Sequence, residues 1–198
     1  GHKYLTNLYG KMILIEKCPV CAGVNFVNKI TCRDHTQSKE VFQIVSCETC
    51  GFTLTNPRPK DEKIDNYYKS ETYISHTNRS AGFFNRLYQT IRVYTIQSKV
   101  RLLKKIKKEG LHLDIGCGTG EFLNACKKSG YKTEGVEPSA LARKQAVENH
   151  GLSVSEKTDL SQYSDSKFDS ISMWHVLEHV PNLNETISHC NRLLKAEG

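Results

Sequence analysis

The apolar residues of this chain change their spacing about halfway along it. Between about residues 80 and 108 they recur at steps of three and four, as on one face of a helix. The positions concerned are Phe84, Leu87, Ile91, Tyr94, Ile96, Val100, Leu103 and Ile106. The phase of this pattern shifts near Thr95, which predicts either a bent helix or two helices, and Gly110 indicates where the helical region ends.

Beyond Gly110, short strand-like runs alternate with helix-like runs. The runs that predict strands are 111–115, 131–136, 152–155 and 168–173. The runs that predict helices are 121–129, 139–149 with Ser139 as N-cap, and a last one whose face carries Leu183, Ile187, Cys190 and Leu194. This alternation predicts an α/β fold, a parallel sheet with helices on both faces. The fourth strand would leave an open edge, where a second copy of the chain could pair with it.

The N-terminal part contains two C-x-x-C pairs, Cys18/Cys21 and Cys47/Cys50, separated by 25 residues. Each pair places two sulfurs on one tight turn, and two facing turns complete the tetrahedral site that zinc prefers. The pattern resembles a zinc ribbon, with an iron centre and unmetallated thiols as the alternatives. A four-cysteine site has no open coordination position, so we expect a structural role. The alternative, a more specific function, is that this module recognises RNA or a carrier protein.

The two prolines of Asn56-Pro57-Arg58-Pro59 favour an extended connector after the cysteine module. These boundaries predict four segments. They are an N-terminal extension (1–17), a zinc ribbon (18–56), a linker with amphipathic helices (57–110) and a partial α/β domain (111–198).

Composition narrows the class of protein without identifying its function. The 198 residues are 38% hydrophobic and 25% charged, which is typical of a globular protein and excludes low-complexity and collagen-like chains. No apolar run reaches the roughly 18 residues that cross a bilayer, and no secretory signal is evident, so we expect a cytoplasmic protein with no membrane partner. The formal charge of +7 falls to roughly +5 if four thiolates bind Zn²⁺ (−4 + 2 = −2), and neither value requires a nucleic-acid partner.

The most informative stretch joins the first predicted strand of the α/β domain to a helix through three alternating glycines, Gly116, Gly118 and Gly120. Such glycines permit a tight turn and close approach of a ligand. Glu137 follows at the end of the next strand, a position that suits a carboxylate accepting both hydroxyls of a ribose. A dinucleotide site would need a third glycine at position 121, where Glu121 instead places negative charge near the pyrophosphate.

This G-x-G-x-G turn, preceded by Asp114, resembles motif I of the class I S-adenosylmethionine (SAM)-dependent methyltransferases, which have a Rossmann-like fold. The segment from Phe168 to Pro181 is similar to the family's fourth strand with its LEHV-P continuation. The resemblance implies SAM as cofactor, S-adenosylhomocysteine (SAH) as product, and strands five to seven that this C-terminally truncated chain lacks. It implies cofactor contacts from Asp114, Gly116, Cys117, Gly118, Gly120, Glu137, Asp159, Met173 and Trp174. Among these, Asp114 would lie near the methionine part, Glu137 would hold the ribose and Asp159 would meet the adenine amino group.

His175 and His179 follow the fourth strand at its carboxyl end and are the candidate general bases. The alternative is a packed turn with His175 at the cofactor edge. With Glu178 they could instead share a helical face and bind a divalent ion, although no fourth ligand is identifiable.

We therefore expect a SAM-dependent methyltransferase acting on oxygen, carbon or nitrogen of a small metabolite, such as a sugar or carrier-bound acceptor. The alternative enzymatic function is an RNA methyltransferase that binds RNA through the zinc ribbon and the basic run from Arg101 to Lys108. The non-enzymatic rival is a cofactor-binding module that lacks catalysis.

Overall fold

The structure is a computed structural model that describes residues 12–35, 38–60, 63, 83–156, 160–180 and 182–198. The chain forms two compact units, residues 1–79 and residues 80–198. One predicted site residue, Asp159, lies outside the described residues.

The first unit contains a three-stranded antiparallel sheet in the order β2–β3–β4. Its strands are β2 (Phe26–Arg33), β3 (Val41–Cys47) and β4 (Thr53–Thr55). A separate pair joins β1 (Met12–Ile13) to β5 (Arg58–Pro59) in antiparallel register. The buried Asn56 side chain links the segments that flank this pair, because it accepts from Ile15 N–H at 2.9 Å and donates to Ile15 O at 3.0 Å. Parts of the predicted extension and connector therefore pair with each other.

The second unit begins with one continuous helix, α1 (Phe83–Ile106), so the predicted alternative of two helices that meet near Thr95 is wrong. Val100 and Leu103 of α1 pack into a buried cluster, whereas Ile91 is 56% exposed and Ile106 is 73% exposed. On the part of α1 whose side chains are described, the apolar residues that pack into this cluster lie after Thr95, and the helix continues through that residue. The helix packs within the second unit, although the sequence pattern placed it in a linker.

The predicted α/β fold with a parallel sheet is confirmed, and the strand order is β8–β7–β6–β9. The strands are β6 (Leu111–Ile115), β7 (Lys132–Val136), β8 (Val154–Ser155) and β9 (Ser170–Met173). The helices that follow α1 are α2 (Glu121–Lys128), α3 (Ala140–His150) and α4 (Leu183–Leu193), with 3₁₀ turns at Leu160–Gln162 and Leu177–His179. Within this sheet β9 is an end strand, although the flanking Phe168 makes an isolated parallel bridge with Leu194.

The core of the second unit places the carboxyl ends of β6 and β7 side by side. Leu113, Val136, Phe168 and Leu193 are fully buried in one cluster beneath the sheet. Ser139 caps α3 by accepting the Ala142 N–H, as its position before the apolar run predicts. Among the described residues, no helix combines the length and apolar character needed to cross a membrane.

Candidate functional site

The turn between β6 and α2 is built on three glycines with positive φ, 73° at Gly116, 56° at Gly118 and 84° at Gly120. A Cβ at Gly116 would lie 2.4 Å from Val176 Cγ2, and one at Gly120 would lie 2.5 Å from Leu152 Cδ1. A Cβ at Gly118 would meet nothing within 4 Å. Two of the three glycines are therefore required by packing, and Gly118 alone faces open space where a ligand can approach the backbone.

Glu137 lies directly beside this turn, at the end of β7, and is 9% exposed. Its carboxylate accepts the Gly118 N–H at 2.9 Å through Oε2 and the Ser139 N–H at 2.9 Å through Oε1. A carboxylate has about four acceptor positions, so this arrangement holds Glu137 in place and leaves capacity for two hydroxyl donors.

Asp114, one residue before the end of β6, is 3% exposed. The Ser172 hydroxyl donates to its Oδ1 at 2.5 Å. Burial raises the pKa of Asp114 to about 7, opposed by the Ser172 hydrogen bond and by Lys99 and reinforced by Glu137. Asp114 therefore changes its charge near neutral pH, and a cation placed beside it would favour the ionised form.

His112 is a buried polar residue of this site that the sequence analysis missed. It is fully buried, with Nδ1 2.8 Å from Ser170 Oγ and Nε2 3.0 Å from Ser172 Oγ. Burial lowers its pKa to about 4, so the ring is neutral at neutral pH. The available signal was its position two residues before Asp114, because alternate residues of a strand face the same side of a sheet.

A cavity of about 420 Å³ opens above the glycine turn. Its walls come from α1, from the turn and from the segment after β9. The lining residues are Ile91, Arg92, Thr95, Ile96, Lys99, Asp114, Gly116, Cys117, Gly118, Thr119, Glu121, Phe122, Trp174 and His175. The contribution of α1 was not predicted, because nothing in the local pattern of a helix reveals which loop it will cover.

Charged groups on the α1 wall are matched by acids and aromatic rings opposite them. Arg92 pairs with Glu121 at 2.6 Å, and Lys99 Nζ lies 4.4 Å from the centroid of the Trp174 ring. Burial lowers the pKa of Lys99, an effect that the nearby Asp114 opposes. The Trp174 Nε1 is buried and has no hydrogen-bond partner within the described part of the chain.

The predicted residues after β9 separate into two groups. Trp174 and His175 line the cavity, whereas Met173 packs against the apolar cluster beneath the sheet. The alternation of β9 explains this placement of Met173, because Ser170 and Ser172 face His112 and Asp114 on the opposite side.

His175 stands at the cavity with its side chain 83% exposed and its Nδ1 3.6 Å from Glu178 Oε1. Its φ of 58° is a conformation that costs a non-glycine residue about 1–3 kcal/mol and is concentrated at functional sites. His179 lies in the following 3₁₀ turn and does not line the cavity. The alternative of an ion held by these two histidines and Glu178 is not supported by the geometry, because within the described ranges only the four cysteines bring three or more ligand atoms together.

The four predicted cysteines of the first unit do converge, with all four Sγ atoms within 4.8 Å of one another. The Sγ atoms of Cys18 and Cys50 are 3.6 Å apart, as are those of Cys21 and Cys47. A tetrahedron with metal–sulfur bonds of about 2.3 Å has sulfur–sulfur edges of about 3.8 Å, so the cluster is suited to a metal ion. The Cys50 and Thr49 backbone N–H groups lower the pKa of Cys47 to about 6, against the effect of burial, whereas the pKa of its neighbour Cys21 is raised to about 12. The backbone N–H groups thus favour the thiolate form at Cys47.

Comparison with known families identifies the second unit. A family model described as a methyltransferase domain matches residues 88–198, from within α1 through α4. The chain belongs to this methyltransferase family. Helix α1 is therefore part of the matched methyltransferase region, in agreement with its packing.

Relatives of the methyltransferase are known from several bacteria. The ubiquinone biosynthesis O-methyltransferase of Actinobacillus pleuropneumoniae serotype 5b (strain L20) is 35% identical over 126 residues, 57% of this chain and 51% of that protein. The protein of the same name from Pseudomonas syringae pv. tomato is 32% identical over 94 residues, 43% of this chain and 40% of that protein. The chain thus spans about half the length, or less, of these curated relatives.

Among solved structures, magnesium protoporphyrin IX methyltransferase from Synechocystis PCC 6803 with bound SAM is similar, with a TM-score of 0.52. It is 22% identical, and the match covers 71% of this chain and 74% of that one. This similarity confirms the Rossmann-like methyltransferase fold.

Proposed function

We propose that this methyltransferase binds SAM at the glycine turn and transfers its methyl group to a hydroxyl of a small molecule. The observation that carries the proposal is the open approach to the backbone at Gly118, whose N–H donates to the buried Glu137, in a cavity that the buried Asp114 also lines. SAM carries an ammonium and a sulfonium, so an acidic site suits it and disfavours a diphosphate. The cavity of about 420 Å³ also lies within the range of about 300–1,000 Å³ that small-molecule sites occupy.

Each residue of the site has a separate proposed role. Asp114 would receive the methionine ammonium, and Glu137, already held by two backbone N–H groups, would accept the two ribose hydroxyls. The adenine contact of Asp159 stays a prediction, because that residue lies outside the described ranges. When bound, SAM supplies an electrophilic methyl group, and SAH is the product.

The acceptor side of the site is formed by Trp174 and His175, at the end of β9. His175 would accept the proton of the substrate hydroxyl while Glu178, 3.6 Å away, orients the imidazole. The names of the relatives, which are O-methyltransferases, support oxygen as the acceptor atom. His179, in the 3₁₀ turn that follows His175, does not line the cavity, and its role as a general base stays a prediction.

Zinc is the metal we propose for the four-cysteine cluster, in a structural role, since a site with four thiolates leaves no position for a substrate. Cytoplasmic location and self-association through β9 stay predictions.

An RNA substrate is the second candidate, favoured by the exposed basic residues Arg101, Lys104 and Lys105 at the end of α1. Transfer of labelled methyl groups from SAM to a panel of hydroxylated small molecules, with RNA assayed in parallel, distinguishes the two. Labelling of RNA without labelling of any small molecule would favour this candidate.

Calorimetric titration of the chain with SAH, and with NAD for comparison, tests the cofactor site. Glu137→Gln removes the charge that faces the ribose, and we expect SAH affinity to fall about tenfold or more. Glu148→Gln, on the exposed surface of α3, is the matched control and should leave the affinity unchanged. Tight binding of NAD together with no binding of SAH would overturn the proposal.

A further inference from the structure

Four polar side chains form a line on one face of the parallel sheet. The register of β6 and β9 places His112 opposite Ser170 and Asp114 opposite Ser172. The successive contacts are 2.8 Å from Ser170 Oγ to His112 Nδ1, 3.0 Å from His112 Nε2 to Ser172 Oγ, and 2.5 Å from Ser172 Oγ to Asp114 Oδ1. We call Ser170, His112, Ser172 and Asp114 the polar tetrad.

The polar tetrad extends from the apolar core to the cavity, because His112 and Ser170 are buried, Ser172 is half-buried and Asp114 lines the cavity. The His112 ring packs edge-on against Phe122 and Tyr131, with centroids 5.9 and 6.0 Å away. His112 is fully buried and Asp114 is 3% exposed. Contacts of 2.8, 3.0 and 2.5 Å between polar atoms are hydrogen bonds, so each contact in the line pairs one donor with one acceptor.

Counting donors defines two arrangements that differ in whether Oδ1 of Asp114 carries a proton. A proton on Oδ2 would instead leave the first arrangement unchanged. When Asp114 is ionised, Ser172 donates to it and must accept from His112 Nε2–H, which leaves Nδ1 to accept from Ser170. When Asp114 is protonated and donates to Ser172, that hydroxyl donates to Nε2, and His112 carries its proton on Nδ1. Passing from the first to the second takes up one proton from solvent, which ends on Asp114. Each hydroxyl keeps one proton, and the neutral imidazole exchanges its Nε2–H bond for an Nδ1–H bond.

We propose that His112 is a positioning residue whose tautomer is tied to the ionisation of Asp114, so that the carboxylate faces the cavity only when His112 carries its proton on Nε2. Taken with the proposed function, binding of a cationic ligand beside Asp114 would release one proton and select that tautomer. In this proposal His112 and Ser172 influence the cofactor site through Asp114.

The groups around Asp114 allow this change near neutral pH. Lys99 of α1 favours the carboxylate, whereas burial and Glu137 beyond β7 favour the protonated acid, and together they leave the Asp114 pKa at about 7. Burial raises the thiol pKa to about 12 both at Cys117 of the turn and at Cys126 of α2, so both face Asp114 uncharged. His112, with its pKa lowered to about 4, also stays neutral, so its tautomer is what changes.

Nuclear magnetic resonance of the full chain labelled with ¹⁵N-histidine and ¹³C-aspartate tests the proposal without ligand. The ring ¹⁵N shifts report the tautomer of His112, assigned by the signal lost in His112→Gln, and the carboxyl ¹³C shift reports Asp114. Between pH 5 and 9 we expect the Asp114 carboxyl to titrate and His112 to change from Nδ1–H to Nε2–H with the same midpoint. A constant tautomer while Asp114 titrates, or a carboxyl ionised throughout this range, would overturn it.

Two variants separate the coupling from packing. Ser172→Ala cuts the line, so Asp114 should titrate about one pH unit higher while the His112 tautomer no longer follows it. Tyr131→Phe changes a neighbour of the ring that lies outside the tetrad and should leave both titrations unaltered. In the wild type, SAH added at pH 6 should convert His112 to the Nε2–H form with release of a proton. Failure of SAH to bind while the ligand-free titrations remain coupled would count against the proposed function alone.

Discussion

Gly118 and Gly120 offer a matched pair of substitutions that separates ligand approach from packing. Both have positive φ, 56° and 84°, so alanine at either site incurs a left-handed backbone cost of about 1–2 kcal/mol. Alanine also lowers the conformational entropy of the unfolded chain, which stabilises the folded protein by about 0.4–1 kcal/mol in each case. The two sites differ in what the added Cβ meets, because at Gly120 it lies 2.5 Å from Leu152 Cδ1 and 3.0 Å from Ala146 Cβ, and at Gly118 it meets nothing within 4 Å.

We therefore expect Gly118→Ala to lower the free energy of unfolding by about 1 kcal/mol and Gly120→Ala by about 2–4 kcal/mol, since overpacking adds about 1–3 kcal/mol. Affinity for SAH should show the opposite order in the folded proteins. Gly118→Ala places a methyl group where the ligand approaches, and we expect a loss of at least about tenfold, or about 1.4 kcal/mol.

Urea unfolding followed by tryptophan fluorescence measures the first quantity, because Trp174 is the chain's single tryptophan and lies in the second unit. Calorimetry with SAH measures the second. Unchanged SAH affinity in Gly118→Ala would refute the assignment of the open turn to the ligand. Equal stability losses in the two variants would refute the packing argument for Gly120.

The other predictions concern the metal, the acid and the base. The purified chain should contain one zinc ion by atomic emission, and Cys47→Ser should lose it, whereas Cys32→Ser, outside the cluster, should keep it. Affinity for SAH should weaken as pH falls below about 7, because protonation of Asp114 removes the charge that faces the ammonium, and Asp114→Asn should bind weakly with no such dependence in calorimetry. His175→Ala should slow methyl transfer about 10²–10⁴-fold with unchanged SAH affinity. A similar loss of rate in His189→Ala, on α4, would argue against a specific role for His175.

The elements of the second unit were predictable because each depends on residues close together in the chain. Alternation and helical spacing predicted β6, α2, β7 and α3 to within one or two residues. The two C-x-x-C pairs predicted the cysteine cluster for the same reason, since each pair occupies one tight turn.

Predictions that depended on one residue's direction could not be settled by spacing. Met173 packs against the apolar cluster through the alternation of β9, and its contact with the cofactor stays a prediction. The predicted alternative of two helices meeting near Thr95 was wrong, because α1 runs unbroken from Phe83 to Ile106.

Local spacing alone therefore established the α/β pattern, the glycine turn and the cysteine ligands. Tertiary structure decided that α1 walls the cavity, that Gly118 is the glycine open to a ligand, and that His112 connects to Asp114 through Ser172. The physical reason is that His112 and Ser172 are 60 positions apart in the sequence. Only the parallel register of β6 and β9 brings them within hydrogen-bond distance.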